Sequence, residues 1–101
     1  VTTIKHSLSI GEKVLNEKLN ASANNMLSLV YRNMGIYDSA VHYSKIALKL
    51  RIEKIKDSND IAGSYDNLNT IFHKMGEYDS AIHYALKSAE IFEKRGKKTE
   101  L

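Results

Sequence analysis

The chain has 101 residues, 43% hydrophobic and 27% charged, with a net charge of +3. That composition excludes a disordered polymer, and no apolar run approaches the roughly 20 residues that a membrane helix needs. The absence of cysteine excludes disulfides and thiolate zinc sites and agrees with a reducing compartment such as the cytoplasm.

There is no proline and there are only five glycines, which favours long helices. Taken in chain order, the apolar periodicities predict five helices at about 3–18, 21–34, 38–56, 60–75 and 79–95. The first segment carries Ser7-Leu8-Ser9-Ile10, which matches Ala47-Leu48-Lys49-Leu50 and Ser88-Ala89-Glu90-Ile91 further on. Asn20 is the expected N-cap of the second segment, whose stripe is Leu27, Val30, Tyr31 and Met34. Gly35 is its stop. In the third, Ala40, Tyr43, Ala47, Leu48 and Leu50 are expected to face inward. That helix should run toward Lys56, since nothing breaks it before Asp57-Ser58-Asn59-Asp60. The fourth has Ile61, Tyr65, Leu68, Ile71, Phe72 and Met75 at steps of three and four, and Gly76 ends it. Asp79 is the expected N-cap of the fifth. Ala81, Tyr84, Ala85, Ser88 and Ile91 give this last helix a face of mostly small residues, with Tyr78 and Tyr84 filling the seam. Its end holds Lys94, Arg95, Lys97 and Lys98. Cations there complement the helix dipole, and they fall short of a nucleic-acid footprint.

The chain also repeats itself. Met34-Gly35-Ile36-Tyr37-Asp38-Ser39-Ala40-Val41-His42-Tyr43 returns as Met75-Gly76-Glu77-Tyr78-Asp79-Ser80-Ala81-Ile82-His83-Tyr84. The offset is 76 − 35 = 41. Aligning 21–43 with 62–84 gives ten identical pairs among 23, which makes the repeat firm. The first segment precedes its neighbour by one residue less, 47 − 7 = 40. The expected organisation is therefore one domain over 1–101: a half repeat at 1–19, a repeat at 20–57 and a second at 58–101. A chain opening on Val1 rather than Met points to a fragment of a longer protein.

Leu27, Tyr31, Gly35, Tyr37, Ala40 and Ala47, with Leu68, Phe72, Gly76, Tyr78, Ala81 and Ser88, form a spaced pattern of small and large residues. This pattern resembles the tetratricopeptide repeat, in a long-unit variant of about 41 residues where the typical unit has 34 and a proline. The resemblance implies an all-α, right-handed solenoid of antiparallel helix pairs. It implies a concave groove lined by the first helix of each pair, in which a peptide or protein segment lies. The groove residues would be Ser22, Asn25, Met26, Leu29, Arg32 and Asn33 in one unit, and Gly63, Asp66, Asn67, Thr70, His73 and Lys74 in the next. Asparagine suits such a site because its amide both donates and accepts, as a peptide backbone does. Asn67 is expected to face solvent and the ligand. The basic pair that a carboxylate clamp needs is missing.

His42 and His83 are equivalent by repeat and expected to point outward about one unit apart, so they do not converge on a metal. No glycine-rich phosphate loop, HExxH or GxSxG occurs. The reading is a non-catalytic scaffold for a protein or peptide, with no cofactor, metal, nucleic acid or membrane partner. The alternative is a signal-responsive regulatory module of a bacterial transcription regulator or sensor kinase. Ile4, Leu8 and Val14 at one end, with Ile91 and Phe92 at the other, lack obvious cover, which implies a homodimer through the end helices.

Overall fold

The computed structural model describes the backbone of residues 2–100 and the side chains of residue 13 and residues 15–94. Within that range the chain is helix apart from three short connections, and there is no strand. The helices are α1 (Thr2–Asn33), α2 (Tyr37–Leu50), α3 (Ser58–Lys74) and α4 (Tyr78–Glu100). A single π-helical turn, Arg51–Ile55, prolongs α2.

The two glycine stops fold alike. Gly35 and Gly76 have φ of +79° and +80°, a conformation that a Cβ penalises. The Ile36 N–H donates to the Tyr31 carbonyl at 2.9 Å, and Gly35 N–H to that of Arg32 at 3.1 Å. Glu77 donates to Phe72 at 2.9 Å and Gly76 to His73 at 3.0 Å. This crossed pair of bonds satisfies the last carbonyls of α1 and α3. The next helix follows so closely that Asp79 is not an N-cap, contrary to expectation. The Ala81 N–H already bonds to the Glu77 carbonyl at 3.1 Å, and Asp79 sits inside the first turn of α4. There its carboxylate complements the positive end of the helix dipole.

The expected break at Asn20 is also absent. Residues 2–33 form one helix, where two were expected. The later junction shows what is missing. At that point Lys56 takes a left-handed conformation, φ 58°, and its N–H closes the π turn onto the Arg51 carbonyl at 2.6 Å. The Asp57 carboxylate then accepts from the Asn59 and Asp60 N–H groups at 2.8 and 3.2 Å. The earlier junction is one residue shorter and offers Asn16-Glu17-Lys18, with no stop. Asn20 caps nothing. Its side-chain and main-chain oxygens accept from Asn24 Nδ2, one turn on, at 2.9 and 2.8 Å. At about 1.5 Å per residue, the 32-residue α1 is a rod of roughly 48 Å.

α1 packs on α2, α2 on α3 and α3 on α4. The buried apolar residues are mostly alanines: Ala21, Ala40, Ala47, Ala62 and Ala81, with Leu68 and Ile71. Small side chains let the axes approach, and flat rings close the rest of each pair. Tyr31 stacks on Tyr43 at 5.5 Å and 5°, and Phe72 stacks on Tyr84 at 5.6 Å and 8°. Tyr65 adds a further ring against Tyr84 at 6.1 Å. Its counterpart Asn24 supplies none. Tyr78 does not fill the seam: it is exposed and meets His73 edge-on at 5.3 Å. The side chains of Ile4, Leu8, Val14, Arg95, Lys97 and Lys98 lie outside the described residues.

Candidate functional site

The first helices of the two pairs, α1 and α3, touch. A buried polar chain joins them. Arg32 Nη1 on α1 donates to Asn67 Oδ1 on α3 at 2.9 Å. Asn67 Nδ2 donates to Ser28 Oγ at 2.9 Å and Ser44 Oγ at 3.2 Å. Ser28 in turn donates to the Ala40 carbonyl at 2.7 Å. Asn67 is therefore wedged between α1 and α2 of the preceding pair. It is 6% exposed, and the expectation that it faces solvent is corrected. The physical reason is that a polar residue is stable inside once its donors and acceptor are all met.

Its neighbours in the expected groove lie closer to the surface. Asn25, Leu29 and Arg32 on α1 and Thr70 on α3 are half-buried. Ser22, Met26, Asn33, Gly63, Asp66, His73 and Lys74 are exposed. Thr70 turns its hydroxyl back onto the Asp66 carbonyl at 3.0 Å. Asn69, Thr70, His73 and Lys74 line a shallow depression, and Lys74 also borders a second one with Gly35, Ile36, Tyr37, Asp38 and Met75. Among the described residues, two buried side-chain atoms have no hydrogen-bond partner: Asn25 Oδ1, an acceptor, and Arg32 Nε, a donor. They sit two helical turns apart on one face of α1.

A second polar clamp was not expected from the sequence. Arg51 Nη1 donates to Ser64 Oγ at 2.7 Å and to the Asp60 carbonyl at 3.2 Å, tying the π turn to α3. Ser28, Ser44 and Ser64 are all fully buried. The signal for this was faint but present. By repeat, Ser44 pairs with Ala85 and Ser64 with Ala23, so both positions carry a small residue in each copy.

His42 and His83 are both exposed, each edge-on to the tyrosine beside it at 5.0 and 5.1 Å. Among the described residues, no group of three or more His, Cys, Asp or Glu could hold a metal ion. No helix among them is long and apolar enough to cross a membrane.

Repeated helix pairs with the same turn and the same ring stack define an α-solenoid of helix hairpins. The family model described as Tetratricopeptide repeat matches residues 19–94, and the chain belongs to that family. Its members are protein-interaction scaffolds, and this chain is one by that membership. No curated protein and no solved structure matches the chain.

Proposed function

We propose that this chain is a non-catalytic scaffold that holds an extended peptide along α1 and α3, and that its end helices pair two copies. The groove comprises Asn25, Leu29, Arg32 and Asn33 on one side, and Asp66, Thr70, His73 and Lys74 on the other. Met26 lies at its margin. Asn67 acts through Arg32, whose guanidinium it holds across the two helices.

The observation that carries this reading is the pair of unmet atoms, Asn25 Oδ1 and Arg32 Nε. An unmet buried donor or acceptor costs about 1–3 kcal/mol. A peptide backbone offers an N–H for the first and a C=O for the second. Both residues are half-buried, so each is partly open to solvent.

The test is selection from a displayed library of random peptides, then calorimetric titration of the winning sequence. Asn25→Ala and Lys74→Ala should each weaken its binding by about 0.5–1.5 kcal/mol, the net worth of a typical hydrogen bond. A library that yields no binder, or a binder indifferent to both substitutions, sinks the groove.

A further inference from the structure

One face of α1 is apolar and uncovered. Leu15, Leu19, Met26 and Val30 lie on it, Met34 follows just past the helix end, and all five are exposed. The same face of α3 is the one that α2 and the π turn cover. Leu27 and Leu68 are the same residue at equivalent positions, yet one is 42% exposed and the other 0%. Val30 is 53% exposed against 0% for Ile71, and Met26 is 65% exposed against 6% for Asn67. What α1 lacks is the second helix of a preceding pair.

The chain contains the sequence of such a helix. Ser7-Leu8-Ser9-Ile10 matches Ala47-Leu48-Lys49-Leu50. That segment is fused in line with α1, however, and a straight helix cannot cover its own face. We infer that the N-terminal half of α1 from a second copy covers this face, and that the exchange is reciprocal, giving an antiparallel two-fold dimer. This deepens the self-association proposed above and rests on it.

The repeat also gives the register. Ser44 meets Asn67, and Arg51 meets Ser64. Moving α2 back by 40 residues and α3 by 41 turns these pairs into Ile4 with Met26, and Gly11 with Ala23. In both, the polar groups are lost from the two sides together. A Ser–Asn hydrogen bond becomes Ile–Met, and an Arg–Ser bond becomes Gly–Ala. Matched loss is what a shared surface requires, since a polar group left alone there would be buried unpaired. The two new pairs are centred on residues 15 and 17, so the two-fold axis passes near Asn16. Leu15 then lies beside its own counterpart, and Leu19 falls about one helical turn to either side of the axis.

Sedimentation equilibrium of the 101-residue chain should find a dimer, and Val30→Glu should make it monomeric with its helix content unchanged. The chain has no cysteine, so single labels can be placed. Spin labels on Asn16→Cys should lie close across the axis. Those on Asn33→Cys should lie roughly 50 Å apart, at about 1.5 Å per helical residue. Inserting Gly-Ser-Gly between Lys18 and Leu19 should let the N-terminal half fold back on its own α1 and yield a monomer. A wild-type monomer overturns self-association and exchange together. A dimer with distant Asn16 labels, or one that survives the insertion, overturns the exchange alone. Peptide titration reads the groove independently of both.

Discussion

Asn67 concentrates three helices on one amide. Two N–H groups go to Ser28 and Ser44, on α1 and α2, and the oxygen takes the Arg32 guanidinium. Truncation would leave a buried hydroxyl and a guanidinium short of partners. Asn67→Ala should therefore destabilise the fold by about 1–3 kcal/mol, read as a lower midpoint in urea. An unchanged midpoint would mean that water replaces the amide without loss. This residue also marks where the sequence stops being legible. Polarity at a first-helix position reads as solvation, and only contacts with residues 23 and 39 positions away reverse that reading. Arg32, expected at the groove, is half-buried and donates to Asn67.

At the scale of the helices, the stops were legible and one junction was not. Glycine at 35 and 76 announces a left-handed residue, and both have it. The stop at Lys56 uses a lysine for the same conformation, which no composition signals. Without such a residue, Asn20 alone could not end a helix. Asparagine inside a helix carries only a modest penalty, and Asn16-Glu17-Lys18 carries the turn through. The glycine requirement can be measured directly. A Cβ at Gly76 would meet nothing within 4 Å, so any loss from Gly76→Ala is backbone strain rather than a clash. It should amount to about 1–2 kcal/mol in chemical denaturation. Gly76→Asn, a residue that tolerates left-handed backbone, should lose less. If alanine and asparagine are equally harmless, the positive φ is not kept in solution.

For the whole molecule, the repeat is legible in the sequence alone, and so are the all-helical class and the pairing of helices. The uncovered face of α1 was not, because it depends on whether one junction bends. The near-identity of the two ring stacks, 5.5 Å and 5° against 5.6 Å and 8°, has a consequence for how such a chain can grow. A step of 41 residues brings the chain back to the same local geometry, so residues 35–75 behave as a portable cassette. Writing that cassette twice in tandem creates no junction without a template: Met75 would be followed by Gly35 as it now is by Gly76. Each added cassette contributes one more nearest-neighbour interface. The lengthened chain should melt at a higher temperature, with the same helix content per residue by circular dichroism. A lower melting point would show that the two copies have already drifted into parts that fit only their present neighbours.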